Sequence, residues 1–378
     1  MLLLAVILAI FVYGMTAATL GTILPNLSER FQLTPSQNGS IAFAQAIGLI
    51  VASLAVGPLL DAEGKKVGLV LGLAFISAAL LALPRCKGYR TLMLLFLLLG
   101  IGGGIVITGA NALASDVSSS HRASVFNLVN LFFGLGGFVT PFIAANLFAK
   151  NWVRLCYTIA VFSVVALIIE ALTHMPGPTG TSSFVMAEVG PVLGKPILFM
   201  LGFFLFLYVS CEVGVWNWLP RHLIVQGIPE SKALNILSVG FALGLLAGRL
   251  LVTPILIQVP PVTVTMIASA LMAVTTYLML KTKSPRVTLI LVALAGISMA
   301  PVFPTTLAIV GNVFPRMTST AIGFAITCGW VGLAVSSRII GGIAGGDPLR
   351  LRKALMVIPI SAVLMLILSL AIQAAMRA

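Results

Sequence analysis

The stretch GPLLDAEGKKVGL, residues 57–69, places four charged side chains between two long apolar runs. The preceding run, SIAFAQAIGLIVASLAV (40–56), and the following run, VLGLAFISAALLALP (70–84), contain no charged residue. With its flanks, each run is long enough to cross a hydrocarbon core of about 30 Å as a helix. A short polar loop between two such runs predicts a membrane-spanning helical hairpin.

The composition extends this prediction to the whole chain. Of its 378 residues, 60% are hydrophobic and 8% are charged, and the mean hydropathy is +1.15, which excludes an ordinary soluble domain. Lipid offers no partner to unpaired backbone groups, so the spans are expected to be helices. The first residues lack the basic region and cleavage site of a signal peptide and form the first span. We therefore predict an all-α integral membrane protein.

Charged, proline-containing and glycine-containing breaks divide the chain into twelve spans. The longest polar interruption follows the sixth span and indicates a linker between two halves. We expect an N-terminal six-helix bundle (1–174), a cytoplasmic linker (175–194) and a C-terminal six-helix bundle (195–378). The predicted spans are 2–25, 37–60, 67–84, 91–114, 122–149, 153–173, 195–219, 232–254, 261–280, 287–312, 319–344 and 353–376.

The two halves carry a weak internal repeat. Adding 195 or 196 to a residue number in the first half brings identical residues of spans 1, 2 and 4 onto spans 7, 8 and 10. The matching pairs are Tyr13 and Tyr208, Pro25 and Pro220, Gly48 and Gly244, and Gly100 and Gly296. Two pseudo-symmetric bundles of this kind usually hold a substrate site between them near the middle of the membrane.

The 57–69 loop resembles the loop motif of the major facilitator superfamily. Ala62 and Glu63 depart from it, because the motif usually has an arginine after the aspartate. The matching residues are Gly57, Asp61, Gly64, Lys65 and Lys66. Within the superfamily, five segments resemble the fucose-permease-like sugar branch: GIGGGIVITGANA, SVFNLVNLFFGLGGFVTP, EVGVWNWLP, GFALGLLAGRLL and GISMAPVFPTTLAIVGNVFP.

The resemblance implies transport by alternating access, with spans 1, 4, 7 and 10 along the central path and both termini cytoplasmic. It also implies that Asp61 and Arg249 belong to cytoplasmic gating elements, and it suggests a bacterial inner membrane. One departure concerns proton coupling. Span 1 has no acidic residue before Glu29, and Ile107 stands in span 4 where the family pattern places a glutamate. Either Glu212 has taken over the proton, or the protein is a facilitator.

The distribution of Lys and Arg opposes this orientation. Seven lie on the side that the resemblance makes cytoplasmic, and fourteen lie on the other side, whereas positive charges usually favour the cytoplasm. The fourteen are Arg30, Arg85, Lys87, Arg90, Lys150, Arg154, Arg221, Lys232, Lys281, Lys283, Arg286, Arg350, Arg352 and Lys353. They form no basic tail or stripe, so nucleic acid is not an expected partner. We keep the orientation of the loop motif because that motif is position-specific.

Glu212 is the main candidate for chemistry. An ionisable side chain within a span is costly and by default faces a cavity or a partner, and of such residues Glu212 and Arg338 stand out. A carboxylate could accept hydrogen bonds from sugar hydroxyls or carry a coupling proton. The structural alternative is a buried carboxylate that is paired locally and serves only folding.

Aromatic and amide side chains in the spans are typical of sugar binding. Tyr208 and Trp216 share a helix face with Glu212, and the structural alternative is that both are core or interfacial aromatics. For the asparagines the alternative is interhelical hydrogen bonding. The substrate-binding candidates are Tyr13, Gln45, Asn111, Asn127, Asn130, Tyr208, Glu212, Trp216, Asn217, Thr327 and Trp330.

These features favour a secondary transporter of a monosaccharide or similar small polar solute, with Glu212 as the candidate coupling group. Two alternatives stay open: a proton-driven exporter of amphipathic compounds, and a membrane sensor that does not transport. The three histidines lie in loops or at span ends without metal-ligand spacing, so we expect neither an enzyme nor a metal site. We expect no cofactor, and a monomer in the lipid bilayer.

Overall fold

The fold is described by a computed structural model that covers residues 1–33, 35–118, 120–148, 151–175, 177, 189–344 and 350–376. Most of the predicted linker, together with Lys150 and the C-terminal Arg377, lies outside these residues. The described part contains twelve helices that are long and apolar enough to cross a membrane. This confirms the predicted fold class.

The twelve spanning helices follow one another along the chain, with the longest connection between the sixth and the seventh. They are α1 (Leu2–Phe31), α2 (Pro35–Glu63), α3 (Lys65–Ala82), α4 (Tyr89–Val117), α5 (Arg122–Asn146), α6 (Trp152–Leu172), α7 (Pro196–Val225), α8 (Leu243–Gln258), α9 (Pro261–Lys281), α10 (Pro285–Met299, resuming as Val302–Val313), α11 (Thr318–Ala344) and α12 (Val357–Ala375). Short helices at Val189–Leu193, Glu230–Asn235 and Leu351–Leu355 precede α7, α8 and α12. The cores of the predicted spans are correct, and the ends differ by several residues.

Two helices run further than the sequence predicted. We expected the first span to end at Pro25, but α1 continues to Phe31. We expected the eighth span to end at Pro254, but α8 continues to Gln258. Membrane helices tolerate an internal proline because neighbouring groups compensate the lost backbone hydrogen bond, so proline is a weak end signal here.

The chain divides into two compact units. Unit 1 comprises Met1–Arg122, Val129–Leu193 and Phe314–Thr327, and unit 2 comprises Ala123–Leu128, Gly194–Val313 and Cys328–Ala378. The start of α5 therefore groups with the second-half helices, and the start of α11 groups with the first-half helices. The predicted boundaries at 174 and 195 remain a prediction about bundles that move as bodies.

The internal repeat appears as equivalent helix contacts. In unit 1, a Cβ atom on Gly100 would lie 2.1 Å from the backbone oxygen of Gln45, so α4 and α2 pack backbone to backbone. In unit 2, a Cβ atom on Gly296 would lie 2.5 Å from the oxygen of Phe241, which precedes α8. Both partners are related by the same offset of 196. The glycines that matched in sequence thus occupy the same packing positions, as small residues do at close helix crossings.

A second contact repeats in the same way. A Cβ atom on Gly136 of α5 would lie 2.2 Å from the oxygen of Phe11 in α1, and one on Gly332 of α11 would lie 2.2 Å from the oxygen of Phe206 in α7. The crossing of the first and fifth helices thus uses an equivalent glycine in each unit, and unit 1 adds a second, since a Cβ atom on Gly14 would lie 2.2 Å from the oxygen of Phe133.

Candidate functional site

The central candidates lie on successive turns of α7 in unit 2. Tyr208 is fully buried, Glu212 is half-buried, and Trp216 is 37% exposed. Asn217, the next residue, is exposed. Spacing by four residues places the first three on one face of the helix, so the chain presents an aromatic, a carboxylate and a second aromatic in a row near the middle of a spanning helix.

The stripe contains one buried hydroxyl, that of Tyr208. It is buried and makes no hydrogen bond of good geometry to a described residue. Glu212 and Arg249 both lie within electrostatic range of it, and the ring of Phe303 from α10 lies 6.4 Å from the Tyr208 ring, centroid to centroid. The Glu212 carboxylate is close enough to share a hydrogen bond with this hydroxyl, so a bound polar solute would compete for the same two groups.

The sequence did not place Arg249 in this group. We assigned it to a cytoplasmic gating element, near the end of a span predicted to stop at 254. In the structure Arg249 is 5% exposed, and α8 continues more than two turns beyond it. The unbroken apolar residues on both sides of Arg249 were the available signal, and Pro254 obscured it. The gating role implied by the resemblance remains a prediction.

Trp216 and Trp330 have different surroundings in unit 2. The Trp216 ring contacts the Phe241 ring edge to face, with centroids 5.2 Å apart. Phe241 belongs to a π-helical segment, Ile236–Ala242, that leads into α8, and such segments are frequent at functional sites. The indole nitrogen of Trp330 in α11 is buried and has no hydrogen-bond partner among the described residues, so it too is an available donor.

Asn127 belongs to unit 2 and joins α5 to α10. Its amide nitrogen donates to the carbonyl oxygen of Ala123 at 3.0 Å and to the hydroxyl of Thr305 at 2.9 Å. Its own carbonyl oxygen is buried and has no partner among the described residues. Nothing in the sequence singled out Thr305, because a threonine in a spanning helix usually bonds its own backbone.

The other two asparagines pair with each other in unit 1. The Asn130 amide donates to the Asn111 carbonyl oxygen at 3.0 Å, and the Asn111 amide donates to the Ile107 oxygen at 2.8 Å. This is the interhelical hydrogen bond that the sequence allowed as the structural alternative. A solute role for the pair stays a prediction.

Three weaker candidates in unit 1 are also packed within it. Tyr13 stacks on Phe133 with ring centroids 5.3 Å apart. The Thr327 hydroxyl donates to the Gly323 oxygen at 2.8 Å. Gln45 is 9% exposed. None of these contacts brings the three into one cluster, so each stands as a separate candidate.

Asp61 of the loop motif caps the start of α11. Its carboxylate accepts hydrogen bonds from the backbone nitrogens of Ser319 at 3.0 Å and Thr320 at 2.8 Å, and from the Thr320 hydroxyl at 2.7 Å. The first backbone N–H groups of a helix have no partner within it, and the helix dipole favours negative charge there. Asp61 therefore fastens α2 to α11 within unit 1.

The remaining motif residues support this contact. A Cβ atom on Gly57 would lie 2.6 Å from the Cα atom of Thr320, so only glycine permits the approach. Gly64 has a φ of 91°, which favours glycine. Lys65 is buried and forms a 2.6 Å salt bridge with Asp116 of α4, and Lys66 donates to the Thr173 oxygen at the end of α6. The motif residues of α2 and α3 thus contact three further helices, α4, α6 and α11, at one end of unit 1.

Glu170 of α6 is a second carboxylate inside a span. It is fully buried, and neither of its carboxylate oxygens has a hydrogen-bond partner among the described residues. Lys66 lies within electrostatic range of it. Glu170 lies near the end of α6, yet the structure buries it completely.

The comparisons with known proteins agree with this architecture. A family profile described as Major Facilitator Superfamily matches residues 6–337. The chain is 23% identical to a protein TsgA homolog of Serratia proteamaculans, covering 88% of this chain and 86% of the relative. It is 23% identical to the glucose/mannose transporter GlcP of Bacillus subtilis, covering 90% and 87%. It is also 23% identical to bypass of stop codon protein 6 of Saccharomyces cerevisiae, covering 65% of this chain and 55% of that one.

Two solved structures have the same fold. FucP in the outward conformation superposes with a TM-score of 0.85 at 16% identity, covering 98% of each chain. The proton:xylose symporter XylE superposes with a TM-score of 0.77 at 14% identity, covering 97% of this chain and 94% of that one.

Proposed function

The chain belongs to the Major Facilitator Superfamily, and from this premise we propose that it is a secondary transporter of a monosaccharide or similar small polar solute. It works by alternating access, and Glu212 carries the coupling proton. The chain is an integral, multi-pass membrane protein with twelve spanning helices.

Relatives support the solute class. One relative that shares most of its length with this chain is named a glucose/mannose transporter, and the fold neighbours are named as a fucose:proton symporter from E. coli and a proton:xylose symporter. Small neutral polyols need hydroxyl, amide and carboxylate partners together with an aromatic surface. The α7 stripe offers the hydroxyl, the carboxylate and the aromatic surface, and Asn217 next to it offers an amide.

The observation that carries the proposal is the position of Glu212 between Tyr208 and Trp216. An ionisable side chain within a span by default faces a cavity or a partner, so Glu212 is sensitive to the groups in its environment. A solute hydroxyl that hydrogen-bonds to Glu212 or Tyr208 changes that environment. Binding of the solute and binding of the proton are then coupled at one side chain.

The Asp61 contact provides the gating element. While the carboxylate caps α11, the ends of α2 and α11 stay together; when it releases, the helix end loses three hydrogen bonds. We assign this end of the helices to the cytoplasm, with both termini on that side, in a bacterial inner membrane. The two halves, 1–174 and 195–378, move as bodies, and the protein acts as a monomer in the bilayer.

Uptake by proteoliposomes tests the proposal. The unmodified protein and the Glu212→Gln variant are assayed with a panel of labelled monosaccharides, with and without an inward proton gradient. We expect accumulation that requires the gradient and falls by at least about tenfold in Glu212→Gln, because an amide cannot carry the proton. Glu170→Gln is the matched control, since it removes another carboxylate from a span, and it should retain gradient-driven uptake.

The other outcomes have definite meanings. Equilibration that ignores the gradient in both proteins would make the chain a facilitator and remove the coupling role of Glu212. Loss of coupling in Glu170→Gln but not in Glu212→Gln would move the proton site to α6. Absence of flux for every sugar would contradict the solute class and favour the exporter of amphipathic compounds.

A further inference from the structure

The charges of this chain are concentrated at one end of its helices. Because spans alternate in direction, the connections after α1, α3, α5, α7, α9 and α11 all lie on the same side of the membrane. We call this the cationic end; it is the end that carries the fourteen lysines and arginines named above. By sequence it contains only three carboxylates, those of Glu29, Glu230 and Asp347.

These cations face solvent. The side chains of all thirteen that the structure describes are exposed, with five in unit 1 and eight in unit 2. Three of them lie over aromatic rings in cation–π contacts. The distance from the cationic group to the ring centroid is 5.3 Å for Arg30 and Trp152, 5.7 Å for Arg85 and Tyr157, and 5.2 Å for Lys281 and Tyr277. Both units therefore present an open positive surface on this side.

The opposite end also carries lysines and arginines, but there their number is nearly matched by that of the carboxylates. Lys65 is buried against Asp116, Lys66 and Arg122 are partly buried, and only Lys195 and Arg316 are exposed among the described cations there. By sequence, the five carboxylates of Asp61, Glu63, Asp116, Glu170 and Glu188 lie at the same end. Its net charge is thus close to zero, and the long-range field of the protein comes from the cationic end.

A cationic outer end is unfavourable for membrane insertion, since positive loops favour the cytoplasm. We therefore look for a function of this positive surface that offsets its cost to insertion. Fields of one sign at the mouth of a site raise the local concentration of oppositely charged solutes and their association rates by about 10-fold to 1,000-fold. The surface therefore suits a negatively charged solute.

We propose that the solute is an anionic monosaccharide, such as a sugar bearing a carboxylate, which the cationic end attracts and Arg249 holds within the membrane. This inference rests on the proposed transport function and specifies its substrate class. Arg249 is buried in unit 2, within electrostatic range of the hydroxyl that also faces Glu212. A guanidinium binds a carboxylate through two parallel hydrogen bonds, while Tyr208 and Glu212 remain available to the sugar hydroxyls.

Binding measurements in nanodiscs expose both ends and so do not depend on orientation. The probes are labelled glucuronate and labelled glucose, whose rings are alike and whose charges differ. We expect tighter binding of glucuronate, with an association rate that falls as salt rises because the Debye length shrinks from about 30 Å at 0.01 M to about 8 Å at 0.15 M. Glucose binding should not depend on salt. This arm needs no variant and so survives any folding defect.

Variants separate the two parts of the proposal. Arg350→Gln/Arg352→Gln/Lys353→Gln should lower the glucuronate association rate about threefold to tenfold and leave glucose unchanged. The matched control is Lys195→Gln/Arg316→Gln, which removes exposed charges from the opposite end and should change neither. Arg249→Gln should weaken glucuronate at least tenfold relative to glucose, and Arg249→Lys should restore part of that loss.

Four results would overturn the proposal, and each differs from failure of the transport function, in which neither probe binds or moves. Glucose binding as tight as glucuronate would remove the anion preference. An Arg249→Gln effect equal for both probes would indicate gating alone. Effects of the triple variant that are equal for both probes and confined to discs containing phosphatidylglycerol would assign the cationic end to lipid headgroups.

The fourth result concerns orientation. In intact cells, a membrane-impermeant thiol reagent should label Lys87→Cys and spare Lys195→Cys. The reverse pattern would place the cationic end in the cytoplasm, where the positive-inside rule alone explains it.

Discussion

The two halves of the chain share their helix contacts but not their charges. Gly136 meets Phe11 in the first half as Gly332 meets Phe206 in the second. By the same offsets, however, Glu212 corresponds to Ala17 and Arg249 corresponds to Ser53. Close backbone crossings tolerate only small residues, so duplication leaves them alike. Side chains inside the membrane that do not set a crossing can diverge, and here Glu212 and the nearby Arg249 both fall in the second half.

The contacts at the helix ends also differ between the two units. Within unit 1, Gly57 and Thr320 pack closely, and Asp61 adds three hydrogen bonds to the start of α11. Within unit 2, the corresponding Ser124 hydroxyl donates to the Thr253 oxygen at 2.9 Å, but Ile257 stands where Asp61 would be. The paired contacts are therefore fastened unequally, which implies that the α8–α5 pair opens more readily than the α2–α11 pair.

The largest effect is expected from breaking an ion pair that only the first half has. The offset relates Lys65 and Asp116 to Pro261 and Asn312. Lys65→Met leaves Asp116 without its buried counter-charge, which typically costs about 3–5 kcal/mol. Thermal unfolding in detergent should show a large fall in Tm, and Asp116→Leu added to Lys65→Met should recover much of it. Arg316→Met is the control, since it removes an exposed cation at the same end of the helices; a fall as large as that of Lys65→Met would contradict the assignment.

Replacing the glycine at the crossing of the first and fifth helices by alanine should destabilise the protein to a similar extent in either half. Gly136→Ala and Gly332→Ala each place a methyl group 2.2 Å from a carbonyl oxygen, far inside van der Waals contact. The helices must separate, at a cost of about 1–3 kcal/mol. Controls lie in the same helices: a Cβ on Gly137 would lie 3.9 Å from its nearest neighbour, and one on Gly342 would have none within 4 Å. Size-exclusion profiles of the heated protein measure all four variants, and a strong effect in only one half would break the equivalence.

A smaller effect is expected from equalising the helix ends. Ile257→Asp places a carboxylate opposite the start of α5, where it can cap free N–H groups as Asp61 does for α11, with a gain of about 1 kcal/mol. We expect slower transport, because opening must now release a second cap. Asp61→Asn should act in the opposite direction on the conformational equilibrium, measured by labelling of engineered cysteines at the helix ends. If Ile257→Asp raised the transport rate, the unequal fastening would not control opening.

Much of the fold was predictable from the sequence because the bilayer imposes a simple rule. About twenty apolar residues are needed for each span, and the backbone must be helical, so hydropathy and breaks suffice to count the spans. Helix α8 runs one turn past Pro254, which we took as a stop signal, and α1 continues to Phe31 although its apolar span ends at Leu24, close to the predicted end. A proline inside a lipid-embedded helix carries little of the meaning it has in a soluble helix.

The site was predictable only in part. Glu212 stood out because a carboxylate in an apolar run is costly, and Asp61 stood out because its motif is position-specific. The sequence did not show which groups lie near Arg249, Thr305 and Glu170. Their neighbours depend on which face of one helix packs against another. Proximity to Tyr208, Asn127 or Lys66 is a result of packing, which no local sequence pattern contains.

The sequence by itself determined twelve helices, an internal repeat and a chain with most of its charge on one side of the membrane, because these follow from composition, spacing and the alternation of spans. The tertiary structure decided which candidates share surroundings. It joined Asn111 to Asn130, gave Asp61 to the start of α11, and brought Arg249 near Tyr208. Glycines fix the points where helices cross, and the crossings decide which side chains become neighbours. Those side chains are far apart in the sequence, so no local pattern reveals that they are close.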